Sequence, residues 1–318
     1  MVCHLPAVRK ISLDEMIGFI LRGNREIVGM ELEEGAGFNM HDRYEELQHY
    51  FERQHFDRNP LAIRGSRLRG VYLQGAHLPY LVVENSDLSD ANFCGTVFDH
   101  ATFEHTSLRM SQLFGASLAS THFNDVNLTH ADLVRVKATA AVLENVEAMG
   151  SNWHEANLSH VRMHLTDMSA AGFGGASLER AYLSHVNFQT ARLRNANLSY
   201  INQDSEFSPQ KPYEGVDFRG ADLHEAQLYR ARLMHAVLVG SILSGADLRK
   251  AHIGEADFRG CDLTDADLRG VIGVSMALGL EYAVFDHTKI WKSQAEIWRA
   301  LTEPHHKRDR FTLCTYQR

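Results

Sequence analysis

Apolar residues recur along this chain at a fixed interval of five. Every position ending in 3 or 8 from Ile63 to Leu198 is apolar, 28 in succession. The same phase resumes at Phe218 and runs to Leu268 for 11 more. Only Ala138 and Ala148 among them are small. The residues two earlier form a second track. There 37 of the 39 are Ala, Ser, Thr, Val or Cys, and only Leu61 and Leu81 depart. The remaining three positions are mostly polar, as in Ala-Asp-Leu-Arg-Gly at 266–270 and Ala-Asn-Leu-Ser-Tyr at 196–200. A period of five fits neither an amphipathic helix nor an alternating strand. A short fixed repeat indicates a solenoid. If each quintet forms one side of a square coil, its central residue points to the axis. The small residue also turns inward, beside the corner, and the other three meet water. Four quintets close a coil, so residues twenty apart stack, and coils pair through backbone hydrogen bonds about 4.8 Å apart.

These quintets resemble the A(D/N)LXX repeat of the pentapeptide-repeat family, over about residues 61–272. The resemblance implies an all-β solenoid, a right-handed quadrilateral β-helix. The motif specifies a fold and leaves the function open. One coil offers a check on the square cross-section. Positions 138, 143, 148 and 153 hold Ala, Leu, Ala and Trp, so the one tryptophan of the repeats shares a coil with the two central alanines. That is the volume exchange expected of a close-packed interior.

The count fails at three places, and these set the domain boundaries. Residues 1–60 lie outside the phase and read as an α-rich N-terminal cap. Ser12-Leu13-Asp14-Glu15 matches a capping box ahead of an apolar run that ends near Gly23. Residues 42–56 place Tyr44, Leu47 and Phe51 on one helical face, and residues 26–32 read as a strand. Such a cap protects a β-helix end that would otherwise recruit other chains; recruitment of a partner is the alternative. Residues 202–215 hold two of the six prolines and interrupt the apolar track. They read as a loop or as three degenerate quintets. Residues 273–318 read as a capping coil in shifted phase around Ala283–Asp286 and Ile290–Trp291, then a short helix from a second capping box at Ser293, then a tail.

Composition narrows the chemistry. At 44% apolar and 23% charged residues a folded soluble chain is expected. The net charge of -8 argues against direct nucleic-acid binding. Four scattered cysteines without a CxxC pair suit a reducing compartment. With no signal peptide and no long apolar run, the expected location is the cytoplasm. No nucleophile, phosphate-loop or zinc-protease motif is present, and Gly174-Gly175 reads as a corner. No two of the repeat histidines lie twenty apart, so they do not stack as metal ligands. The chain is therefore read as a non-enzyme without cofactor or metal.

What remains is surface. Residues 70–161 carry ten acidic and three basic residues, whereas 162–272 carry 14 and 12. At about 4.8 Å per coil the acidic stretch spans roughly 22 Å and reaches about half the charge density of DNA. The chain is read as a binding scaffold for a protein partner. Its contact candidates are Asp87, Asp90, Asp99, Glu104, Asp125, Glu144 and Glu147, with Glu206, Phe207 and Tyr213 of the interrupting segment. The resemblance also extends in part to members of the quinolone-resistance type, which imitate DNA and bind type II topoisomerase. Imitation of DNA toward DNA gyrase is therefore the alternative. C-terminal helices of the family often build dimers, which makes Trp291, Ile297, Trp298 and Leu301 candidates for a homodimer contact.

Overall fold

The protein is described by a computed structural model covering residues 8–203, 215–302 and 310–315. It divides into two compact units, Met1–Asn157 and Leu158–Arg318.

The first unit begins with β1 (Arg9–Lys10) and α1 (Leu13–Leu21). Ser12 caps α1 with the reciprocal bonds of a capping box, 3.2 Å from Glu15 N to Ser12 Oγ and 2.9 Å from Ser12 N to Glu15 Oε2. Two short strands follow, β2 (Glu26–Val28) and β3 (Met30–Glu31), then α2 (Tyr44–Glu52). Leu47 and Phe51 of α2 are buried, and Tyr44 donates its hydroxyl to the Gln74 carbonyl at 2.6 Å. The segment outside the phase is thus not only a helical cap. Glu26–Val28 pairs in parallel with Ala62–Arg64, Glu31 bridges Arg67, and Gly37 bridges Tyr72. Three sides of an extra rung are laid down by backbone pairing, without the quintet pattern.

The coils of this unit follow the expected period of twenty. Their first side carries β4 (Ala62–Arg64), β5 (Val82–Glu84), β6 (Thr102–Glu104), β7 (His122–Asn124) and β8 (Val142–Glu144), parallel and in register. The second, third and fourth sides, centred in one coil on Leu88, Phe93 and Phe98, pair through single bridges twenty residues apart. Both inward tracks are buried along the unit. Phe103 and Phe123 stack in consecutive coils with ring centroids 5.2 Å apart, and Phe93, Phe98 and Phe103 meet edge to face around the axis. Trp153 is wholly buried beside the buried Ala138, Leu143 and Ala148, and its indole N–H donates to Ser151 Oγ at 2.7 Å. The volume exchange expected from the sequence is the one observed.

The second unit contains β9 (Arg162–His164), β10 (Tyr182–Ser184) and β11 (Asn202–Gln203) on the same kind of first side. Across the interruption the pairing interval widens. Asn187 bridges Asp217, Arg192 bridges Asp222 and Asn197 bridges Gln227, each thirty residues on, after which the interval returns to twenty. Residues 201–203 keep a side of the coil, so two quintets' worth of chain is added there, not three. Most of the interrupting segment, 204–214, lies outside the described residues. Gln203 takes the axis position, 9% exposed, and among the described residues neither amide atom has a hydrogen-bond partner.

The last coil explains the shifted phase. His252 bridges Ile272 at an interval of 20, Asp257 bridges Leu278 at 21, and Asp262 and Asp267 bridge Val284 and Lys289 at 22. One residue is added at each of two corners, where the turns Val274–Met276 and Leu280–Tyr282 lie. Then come β12 (Asp286–Trp291), α3 (Ala295–Thr302) and β13 (Arg310–Cys314), the last parallel to β12. No Ser293 capping box opens α3. A tight turn at Lys292–Gln294 precedes it, and the Gln294 amide reaches back to Gly270 N at 3.3 Å and Val271 O at 3.2 Å.

Candidate interaction surface

Three outward positions of each quintet build the surface, and each is constrained by the coil. Where the residue before the centre is Asp or Asn, its Oδ1 commonly accepts a hydrogen bond from the backbone N–H two residues on. Ser89 donates to Asp87 at 2.9 Å, Thr129 to Asn127 at 2.9 Å, and Arg259 to Asp257 at 3.1 Å. This local turn is the reason for Asp and Asn there, and the sequence reading, which treated the position as merely polar, missed it. The last residue of the quintet stands at the corner with positive φ, as at Gly95 (+67°), Asp90 (+60°) and Thr190 (+56°). Gly175 occupies such a corner (+66°), as expected. Beyond the first side, small hydroxyl residues help to close the corner. Ser86 and Thr106 donate to the carbonyls of Glu84 and Glu104 at 2.8 and 2.9 Å.

The acidic residues of the first unit occupy all four sides. Glu84, Glu104, Asp125 and Glu144 lie on the first side, Asp87, Asp90 and Glu147 on the second, Asp132 and Glu155 on the third, and Asp99 on the fourth. Several are already engaged. Asp90 pairs with Arg69 at 2.9 Å and Glu155 with Arg135 at 2.6 Å, where the guanidinium holds the Glu155 carboxyl below its ordinary value. Asp99 accepts from Ser117 Oγ at 2.6 Å and from Ala119 N at 3.0 Å. A uniform acidic field over residues 70–157 is therefore not what the coil presents.

Six of the ten nonetheless gather along the edge between the first and second sides. Glu84 and Glu104 are register partners, as are Asn124 and Glu144. Asp87 and Glu147 lie just round the corner, each in the column that runs through Ser107 and Asn127. His105 stands among them, 3.6 Å from Glu104 and 3.3 Å from Asp125, and Asn145 hydrogen-bonds the Asp125 carboxylate. Arg64 pairs with Glu84 at 3.0 Å at one end. The edge thus joins Asp87, Glu104, Asp125, Glu144 and Glu147, and leaves Asp90 and Asp99 elsewhere.

In the second unit charge is neutralised locally, as the mixed composition suggested. Arg259 Nε lies 2.9 Å from Asp257, and Arg249 Nε lies 2.8 Å from Asp247 and 3.8 Å from Asp267. Arg230, Arg249 and Lys250 all approach the Tyr229 ring within 5.8 Å of its centroid. Among the described residues no group of three or more His, Cys, Asp or Glu could hold a metal ion. Cys261 fills an inward small-residue slot, and burial pushes its thiol up to about 11.

The dimer candidates separate. Trp298 is 0% exposed, enclosed by its own chain against Phe285 and Phe311, so it is not available to a partner. Trp291 is half-buried under Arg269, whose guanidinium lies 5.3 Å from the ring centroid, and Leu301 is half-buried too. Ile297 alone faces solvent, at 51%. Glu206, Phe207 and Tyr213 lie outside the described residues.

Comparison with known proteins follows the same repeat. The family described as pentapeptide repeats matches in eight copies, over residues 66–93, 82–109, 111–146, 167–199, 214–240 and 241–272, together more than half of the chain. No curated protein matches the sequence. Among solved structures, HetL, a pentapeptide repeat protein involved in heterocyst differentiation regulation from the cyanobacterium Nostoc sp. strain PCC 7120, is 23% identical with a TM-score of 0.45, covering 86% of this chain and 97% of its own. QnrB1, a plasmid-mediated fluoroquinolone resistance protein, is 16% identical with a TM-score of 0.27, covering 74% and 95%. Rfr23 from the cyanobacterium Cyanothece 51142 is 25% identical over 38% of this chain and 64% of its own, with a TM-score of 0.13. With parallel coils of four five-residue sides and a family match over more than half of its length, this chain belongs to the pentapeptide-repeat family and has its right-handed β-helical fold.

Proposed function

We propose that the protein is a non-enzymatic scaffold that docks a basic protein partner on the acidic edge of its first unit. The supporting observation is the gathering of Glu84, Asp87, Glu104, Asp125, Glu144 and Glu147 on one edge. Proteins of this family are in general structural or binding proteins, and free Cys94, Cys261 and Cys314 suit the cytoplasm as its location. Electrostatic complementarity of such an edge speeds encounter and selects partners. Capture of a partner from lysate by the full chain should fall on raising salt, and should be lost in the Glu104→Lys, Glu144→Lys, Glu147→Lys variant. Capture that is indifferent to both would end the proposal.

The second reading, imitation of DNA toward DNA gyrase, draws on the same edge. Its six carboxylates span three coil steps, about 14 Å, where duplex DNA carries about eight charges. The local density is DNA-like, but the run is shorter than half of the duplex turn of about 34 Å. A supercoiling assay separates the two readings. Inhibition of gyrase by the intact chain, lost on charge reversal, selects the second, and unaltered supercoiling leaves the first. A homodimer through α3 would use Ile297, so Ile297→Lys should turn a dimer into a monomer in light scattering. A monomeric unsubstituted protein would remove that part of the proposal.

A further inference from the structure

The N-terminal segment holds a cleft of about 300 Å³ bounded by α1, the β1–β3 ladder and the start of α2. Three arginines line it, Arg9 from β1, Arg22 from the end of α1 and Arg43 from the N-cap of α2. Its floor is Gly18, in the middle of α1. A glycine inside a helix weakens it relative to alanine, so its presence calls for a reason. A Cβ on Gly18 would lie 3.3 Å from Arg22 Nη1 and 3.7 Å from Arg43 Nη1. Two guanidinium groups therefore converge on the space that the missing side chain leaves.

Asp14 and Glu15 also line the cleft, each with a further partner of its own. Glu46 takes Arg43 through Nε and Nη2, at 2.9 and 3.3 Å, which leaves Nη1 turned to the cleft. Glu15 is held by the Ser12 backbone, and Asp14 lies 3.7 Å from His41. Neither Arg9 nor Arg22 has an ion-pair partner among the described residues. Three arginines against two carboxylates leave the lining net positive, and guanidinium forks match the oxygens of phosphate or carboxylate. Ile11, Phe19 and Met30 add apolar surface to the lining. The volume is at the lower end of small-molecule sites.

We propose that this cleft binds the phosphoryl group of a small organic phosphate, with Arg22 and Arg43 on the phosphoryl oxygens over Gly18 and the organic part against Phe19 and Met30. Two converging guanidinium groups, with Arg9 also lining the cleft, suit a group with three equivalent oxygens better than a planar carboxylate. The site is independent of the acidic edge and of any protein partner.

Thermal unfolding of the full chain in chloride of matched ionic strength tests this. The probes are glucose 6-phosphate, inorganic phosphate, acetate and glucose at millimolar concentration, followed by calorimetric titration. Glucose 6-phosphate should raise the midpoint and bind, inorganic phosphate more weakly, acetate and glucose not at all. Arg22→Gln should weaken binding by at least about tenfold. Gly18→Ala, which fills the floor without altering charge, should weaken it while raising the midpoint of the ligand-free protein. Arg9→Gln, on an exposed strand, serves if Arg22→Gln does not fold. The proposal is overturned if no phosphate shifts the midpoint beyond chloride, if acetate does so equally, or if the shift survives these substitutions.

Discussion

Replacing Trp153 and Ala148 of the same coil by leucine, singly and together, probes the shared interior directly. All the inward central side chains there, Ala138, Leu143, Ala148 and Trp153, are at most 1% exposed. Trp153→Leu removes part of a fully buried indole and should cost about 2–4 kcal/mol, below the roughly 3–5 kcal/mol of truncation to alanine. Ala148→Leu adds volume where none is free and should cost about 1–3 kcal/mol. Independent sites would give a double variant weaker by the sum, roughly 3–7 kcal/mol. If the coil is one packed space, two leucines replace a large and a small residue at nearly constant volume. The double variant should then recover about 1–3 kcal/mol of that sum. Urea unfolding followed by circular dichroism reads all four proteins, with two other tryptophans irrelevant to the signal. A double variant equal to or worse than the sum would refute the claim that these side chains fill one interior.

Other expectations concern the corners, the interruption and the carboxylates. Gly95→Ala meets no atom within 4 Å but must hold φ near +67°, so it should cost about 1–2 kcal/mol through backbone strain alone. Gly150→Ala should cost more, because its Cβ would come within 2.7 Å of the His130 ring, and equal losses in urea unfolding would contradict this. Gln203→Leu exchanges a buried amide without partners among the described residues for the usual axis residue and should stabilise by about 1–3 kcal/mol, with a lower thermal midpoint as the contrary result. Burial raises the Asp257 carboxyl, but the hydrogen bonds and charge of Arg259 outweigh it, and the net direction is below the ordinary 3.8. A carboxyl depressed on folding adds stability above its ordinary value, and that stability is lost as pH falls through 3.8 toward the folded value. Asp257→Asn should therefore flatten the fall of the urea midpoint on acidification below about pH 5, and an unchanged slope would count against the pair.

The fold was legible because side chains at the 3 and 8 positions face one environment throughout, and Trp153 announced its neighbours by size. Elsewhere the controlling interaction is not written in side-chain type. The rung at residues 26–37 is held by backbone bridges to Ala62–Arg64, Arg67 and Tyr72, which any sequence can make. The ladder interval of thirty after Asn187 depends on which residues pair across the interruption, and a linear count of the gap could not assign them. The acidic surface was misread for a similar reason. Counting charge along the chain discards the angle around the axis, so Asp99 on the fourth side was pooled with Glu104 on the first. Trp298 is a dimer candidate only through the family resemblance, and Phe285 and Phe311 of its own chain already cover it. The arginines lining the cleft come from a strand, a helix end and a helix start, and nothing in their spacing brings them together.

The central claim is that, within each unit, every fifth residue fills the dry interior of a coil that closes after four quintets. A crystal structure at side-chain resolution tests it most directly. The account predicts parallel rungs about 4.8 Å apart, with Phe103 stacked on Phe123 and Trp153 enclosed. Phe103 and Phe123 pointing to solvent, or those residues divided among helices or separate globular cores, would contradict it.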